Sequence, residues 1–320
     1  MPQVTVVGYG AMGSGMAKRL VTCNSPSHSV NVFDVRPAAV AAFQQFQHDY
    51  DPSNNPPPDS TLPPKSLSLT VDGSDIIIVC VLNDEQCDSV IKDIVPFFGD
   101  GDDGEIDEDE SLTTPSPAFE QVVSIVITAT VPPSYISKLP SRINSAYKRR
   151  VASGTPGKRF EIIDSPISGG PIRSEEGSLT IMASAPPSHL NRVKPTLDIL
   201  SNANTSGSLV ICGEVVGQGM TVKIIHQLIA GCNLVSAAEG YTLASKMGVL
   251  NEAFKSVCSG GAARLVQARS DYIIKRCAHS YVVFFARVSR SAMITNYPPF
   301  LLPLLCSICP AKLCNDGASG

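Results

Sequence analysis

Short apolar runs rich in valine and isoleucine recur through the first two thirds of the chain, alternating with stretches whose apolar residues fall at helical spacing. Runs of this kind suit strands buried on both faces of a parallel sheet. Residues 4–7, 30–33, 75–82, 122–128, 160–164, 179–183 and 208–212 are read as strands. Residues 12–21, 37–46, 84–94, 133–145 and 187–200 are read as helices, the fourth opening on proline. The alternation predicts an α/β architecture, a doubly wound Rossmann domain over residues 1–213. From residue 222 to 247 the pattern changes: 26 residues pass without proline, and Ile224, Ile225, Leu228, Ile229, Cys232 and Val235 recur at helical spacing. Small residues at Ala230, Gly231, Ser236, Ala237 and Ala238 permit close helix contact. This predicts a long buried helix that opens a second, all-helical domain, residues 214–320.

Two segments break the pattern. Residues 51–64 are a linker rich in proline and asparagine. Residues 99–118 are nearly all acidic or glycine up to Glu110, with Ser, Thr and Pro following, and read as a solvated insertion on the scaffold. Composition adds little. A chain of 320 residues accommodates two cores, and a net charge of −4 offers no basic surface for nucleic acid. The first strand begins at once, which leaves no room for a leader peptide and makes the cytoplasm the expected location. Of the ten cysteines, Cys80, Cys212 and Cys232 sit in apolar runs and read as small buried hydrophobes in a reducing compartment.

Candidate chemistry starts at Gly8-Tyr9-Gly10-Ala11-Met12-Gly13, which lies between the first strand and the first helix. Gly8 permits a tight turn, Gly10 lets the backbone approach a pyrophosphate, and Gly13 lets helix and strand pack closely. The helix N-terminus then offers N–H groups to the anion. Asp34 closes the second strand 21 residues past Gly13, placed to accept from the adenosine ribose hydroxyls. A carboxylate there repels a 2′-phosphate, which favours NAD over NADP; Arg36, two residues on, reads as a solvated loop charge. Two later segments add to this. In Asp164-Ser165-Pro166-Ile167-Ser168-Gly169-Gly170, the consecutive glycines expose backbone N–H groups after a strand, and Ser168 adds a hydroxyl, a set able to hold a carboxylate. In Gly217-Gln218-Gly219-Met220-Thr221-Val222-Lys223, the lysine enters the first turn of the long helix among apolar neighbours, where its charged form is disfavoured. His226 and Gln227 follow on the same face.

These three motifs, in this order, resemble the β-hydroxyacid dehydrogenase family over about residues 3–262: GxGxMG, then D-x-P-x-S-G-G, then G-x-G-x-x-x-K. The resemblance implies a Rossmann domain followed by a helical domain, with NAD(P)-dependent oxidation of a hydroxy acid. It implies that Lys223 is the catalytic lysine and that Ser168, Gly169 and Gly170 bind the substrate carboxylate. It further implies that Val81, Leu82 and Asn83 lie along the cofactor and that Thr130, in Ala129-Thr130-Val131-Pro132-Pro133, sits near the nicotinamide. His226 and Gln227 stand where many members carry asparagines, and Lys-Ile-Ile-His-Gln-Leu is similar to the L-threonate branch of the family. A histidine there meets an additional substrate hydroxyl, so a four-carbon sugar acid is preferred to 3-hydroxyisobutyrate or 2-hydroxy-3-oxopropionate. A homo-oligomer formed through the helical domain is also implied.

The resemblance fades after Ala263. Residues 264–320 have poor helical periodicity, and prolines interrupt the apolar stretch 294–310, which is too short to span a membrane. Cys306-Ser307-Ile308-Cys309 has no second metal-binding pair, so no metal is assigned. The abrupt change inside one domain suggests a truncated or aberrant tail, the product of a shifted frame or retained intron. A non-catalytic dinucleotide-binding protein is therefore the alternative of another class.

Overall fold

The computed structural model describes residues 2–23, 28–51, 66–98, 121–154, 157–202 and 207–260; the acidic insertion and the atypical tail lie outside these residues. The chain forms two compact units, Met1–Ile229 and Ala230–Gly320. In the first, the element order is β1 (Gln3–Val7), α1 (Gly13–Thr22), β2 (Ser29–Phe33), α2 (Pro37–Tyr50), α3 (Leu67–Thr70), β3 (Ile76–Val79) and α4 (Asp84–Ile94). Next come β4 (Val122–Ile127), α5 (Pro133–Ile136), α6 (Leu139–Ala152), β5 (Arg159–Asp164), β6 (Ile167–Ser168), α7 (Gly170–Glu176), β7 (Thr180–Ser184), α8 (Pro187–Leu200) and β8 (Ser208–Gly213). Helix α9 (Gln218–Lys246) starts in this unit, and α10 (Asn251–Gly260) belongs to the second.

Strands β2, β1, β3, β4 and β5 lie side by side and parallel, and β7 runs antiparallel to β5 and β6 with β8 parallel to it on its other edge. The parallel core follows from the sequence: Ile76–Val79 is wholly buried, and so are Val123, Ile125, Val126 and Ile127. Register then places the chemistry. Phe33, Val7, Val79, Ile127 and Asp164 form one row across the sheet, each paired with the next, and Asp164 pairs onward with Ser184. Asp34, Gly8, Cys80, Thr128 and Ser165 each follow one residue later, at the carboxyl edge where open α/β sheets bind ligands.

Three expectations are corrected. The helix read over 133–145 is two helices, because Pro140 lacks the N–H to continue α5 and instead occupies the first turn of α6. Cys80 and Cys212 are half-buried and Cys232 is exposed, since Cys232 lies across helix α9 from the buried Tyr241. Helix α9 is a helix but not a buried one: Val222, Ile225 and Ile229 are each more than 40% exposed. Its apolar residues run all round the axis, and a single packed face cannot cover them. In the second unit, Ala237 and Ala238 form a small core and the Tyr241 ring meets Phe254 edge-on at 5.0 Å.

Candidate active site

The glycine turn has the geometry that close approach to a dinucleotide requires. Gly8 has φ +96°, in the left-handed region, and a Cβ there would lie 2.3 Å from the Cys80 carbonyl oxygen. A Cβ on Gly13 would lie 1.9 Å from the Gly8 carbonyl oxygen, so the helix seats directly on the turn. Beside Gly10 the space is open: nothing lies within 4 Å of where its Cβ would be. No side chain caps α1, and its first turn carries no acid, which leaves the N-terminal N–H groups to an anion. These residues fit a dinucleotide pyrophosphate. Ala11 is exposed, Met12 half-buried, and Tyr9 buried with its ring against Phe43.

Asp34 is buried at the end of β2, with one oxygen accepting from the Tyr9 N–H at 2.9 Å. Arg36 is no loose loop charge. Its guanidinium forks onto both carboxylate oxygens at 2.9 and 3.1 Å, and also donates to the Tyr9 carbonyl at 3.3 Å. The Arg36 fork holds the Asp34 carboxyl below the usual range despite burial. Farther along the carboxyl edge, Val81 is half-buried and Leu82 exposed. Asn83 caps α4 by accepting from the Gln86 N–H at 3.0 Å, while the Gln86 side chain accepts from the Leu82 N–H at 3.0 Å. The pair fixes residues 81–83 where β3 ends. Thr130 is exposed after buried Ala129, beyond the end of β4.

The glycine–serine loop and the lysine meet. Lys223 is only 6% exposed, and its Nζ donates to the Ile167 carbonyl at 2.7 Å. That carbonyl immediately precedes half-buried Ser168, so the Lys223 amine is placed beside the loop. Gly169 and Gly170 have φ +150° and +81°, a conformation that favours glycine, and they turn the chain into α7. His226 is exposed and Gln227 half-buried, one turn along from Lys223. Helix α7 was not foreseen; it packs on α1, with the Ser174 hydroxyl donating to the Met12 carbonyl at 2.7 Å. Its sequence signals are Pro171 in the first turn, obscured by the glycines before it, and Gly177, which closes the helix in the left-handed conformation.

Residues 3–107 and 117–217 match the family model described as the NAD binding domain of 6-phosphogluconate dehydrogenase, and residues 217–278 the model described as NAD-binding of NADP-dependent 3-hydroxyisobutyrate dehydrogenase. The chain belongs to the β-hydroxyacid dehydrogenase family. As a member, it is an NAD(P)-dependent oxidoreductase. L-threonate dehydrogenase of Pectobacterium atrosepticum is 23% identical over 309 residues, 94% of this chain and 84% of the relative. L-threonate dehydrogenase of Escherichia coli strain K12 is 30% identical over 172 residues, so there the match spans 51% of this chain and 54% of the relative. A crystal structure of 3-hydroxyisobutyrate dehydrogenase from Salmonella typhimurium shares the fold, with a TM-score of 0.64 at 20% identity over 96% of this chain and 93% of that one. The second family model continues past Ala263 to residue 278. Among the described residues no helix is long and apolar enough to cross a membrane.

Proposed function

We propose that this β-hydroxyacid dehydrogenase oxidises a hydroxyl of a four-carbon sugar acid such as L-threonate, with NAD as the preferred cofactor. The observation that carries the reading is the buried Lys223 amine held at 2.7 Å from the Ile167 carbonyl, one residue before the serine–glycine loop. The bound cofactor supplies nicotinamide C4 as hydride acceptor. Ser168 and the N–H groups of Gly169 and Gly170 hold the substrate carboxylate, which fixes the face presented to the ring. Lys223 accepts the hydroxyl proton as the hydride leaves. His226 and Gln227 discriminate between acids by meeting a further hydroxyl. Glycine turn, Val81, Leu82, Asn83 and Thr130 line the cofactor, and Asp34 accepts from its ribose.

The named relatives support the substrate class, since L-threonate dehydrogenases recur among them. A relative named 2-hydroxy-3-oxopropionate reductase, 31% identical over 148 residues, keeps 2-hydroxy-3-oxopropionate and 3-hydroxyisobutyrate as the second reading. The deciding experiment is NADH production on L-threonate, D-glycerate and 3-hydroxyisobutyrate, repeated with NADP. Turnover only on 3-hydroxyisobutyrate sinks the sugar-acid reading. No turnover on any acid, with NADH still bound, supports a non-catalytic dinucleotide-binding protein instead. Lys223→Ala should lower kcat by about 10²–10⁴-fold while dinucleotide affinity stays the same; near-normal turnover removes the lysine from the mechanism.

A further inference from the structure

Asp164 ends β5 in the same register row as Val7, but it does different work from the acid at the end of β2. Its Oδ2 accepts from the Gly217 N–H at 3.0 Å, the Met220 N–H at 2.9 Å and the Ser184 hydroxyl at 2.9 Å. Ser184 Oγ in turn accepts from the Gly219 N–H at 2.9 Å. Three amides at the start of α9, a place where a helix lacks internal acceptors, are thus met by one carboxylate and its hydroxyl neighbour. The approach is close: a Cβ on Gly219 would lie 2.3 Å from the Met182 carbonyl oxygen and 3.2 Å from Asp164 Oδ2. Three residues beyond Met220, Lys223 returns a bond to Ile167, three residues beyond Asp164. Loop and helix are therefore pinned at both ends of one short circuit.

We infer that Asp164 is a positioning residue: by clamping the first turn of α9 it holds the Lys223 amine beside the Ser168-Gly169-Gly170 loop. The inference rests on Lys223 being the proton acceptor. Packing alone does not account for the residue. Asp164 is wholly buried, and its Oδ1 meets no hydrogen-bond partner among the described residues. Burial pushes its carboxyl up to about 6 even against the bonds that favour the charge. A core built for stability alone gains from an apolar side chain at such a place.

The test compares Asp164→Ala, Asp164→Asn and Ser184→Ala in the full chain. Steady-state kinetics are read beside NADH affinity by fluorescence and beside the rate at which an amine-acetylating reagent labels Lys223, by peptide mass spectrometry with Lys194 of α8 as internal reference. Asp164→Ala is expected to lower kcat by about 100-fold, the scale on which small misplacements act, with NADH affinity unchanged and Lys223 labelled faster relative to Lys194. Asp164→Asn, which keeps an oxygen acceptor, should recover most of kcat. Ser184→Ala should shift both readouts in the same direction by less, and it decides the matter if Asp164→Ala does not fold. Unchanged kcat and labelling overturn the inference, as does a parallel loss of NADH affinity, which marks general loosening. If the wild-type chain oxidises none of the acids, the functional reading fails, while the labelling ratio still decides the clamp.

Discussion

Replacing Asp164 by asparagine should remove a pH dependence from the stability of the chain. The ordinary carboxyl value is 3.8, and in the folded chain Asp164 is raised to about 6 by burial. A raised carboxyl means the folded state holds its proton longer than the unfolded chain does. Its contribution is therefore fully favourable below about 4 and is lost as pH rises toward 6. The shift of about 2 units corresponds to roughly 3 kcal/mol between the limits, and about 2 kcal/mol of it falls between pH 4.5 and 7.5. Cys212, which feels the Asp164 charge, is held above its ordinary value of 9.0 chiefly by burial and does not titrate in this window. The chain has no tryptophan, so far-UV circular dichroism is the probe for urea unfolding at the two pH values. The stability of Asp164→Asn minus that of wild type should rise by about 2 kcal/mol from pH 4.5 to 7.5, whatever constant offset the new amide introduces. Parallel stability–pH curves for the two proteins would refute the burial argument.

Other expectations follow from the same geometry. Gly13→Ala puts a methyl 1.9 Å from the Gly8 carbonyl oxygen, so the turn must shift; NADH affinity measured by fluorescence should fall by about tenfold or more, with stability lowered by about 1–3 kcal/mol in urea titrations. Arg36→Ala frees the Asp34 carboxylate from its guanidinium fork, and the ratio of the NADP to the NAD Michaelis constant should rise; a fall in that ratio would show that Arg36 does not shield Asp34. His226→Ala should lower kcat/KM for L-threonate by about tenfold relative to 3-hydroxyisobutyrate, the loss of one hydrogen bond to a substrate hydroxyl; equal losses on both acids would remove His226 from specificity.

The elements easiest to read in the sequence are those whose pattern is fixed by burial. The isoleucine run of β3 and the valine run of β4 suit a strand covered on both faces, and the spacing of the glycine turn places it between β1 and α1. The direction of β7 was not legible, because Thr180–Ser184 is buried by residues brought from β5, β6 and β8 and carries no local sign of running antiparallel. Arg36 illustrates the opposite limit. Its position two residues past Asp34 looks like any surface arginine, and only the curl of backbone after β2 brings its fork onto the carboxylate. Asp164 stood in plain view inside a motif, yet its role depends on residues 53 and 56 positions away.

The spacing between the glycine turn and the serine–glycine loop is set by packing that neither motif contains. Helix α1 begins at Gly13, and helix α7 begins at Gly170, so each loop runs straight into one of two helices that lie against each other. At their contact, Gly15 leaves no room for a side chain: a Cβ would lie 2.7 Å from the Glu175 nitrogen and 2.8 Å from Ser174 Oγ. The Ser174 hydroxyl, wholly buried, reaches back to the Met12 carbonyl inside the turn itself, and Lys18 pairs with Glu175 at 3.0 Å on the outer side. That ion pair is exposed and contributes little, about 0–1 kcal/mol. The buried bond and the glycine contact are stiffer, because both elements start at a fixed sheet edge and neither can slide without breaking them. Hydride transfer needs the reacting atoms held within a few tenths of an ångström, and a loop on its own does not supply that. Here the glycine turn and the serine–glycine loop are two ends of one packed helix pair, while Asp164 bonds the start of α9, whose Lys223 reaches the Ile167 carbonyl before that same loop.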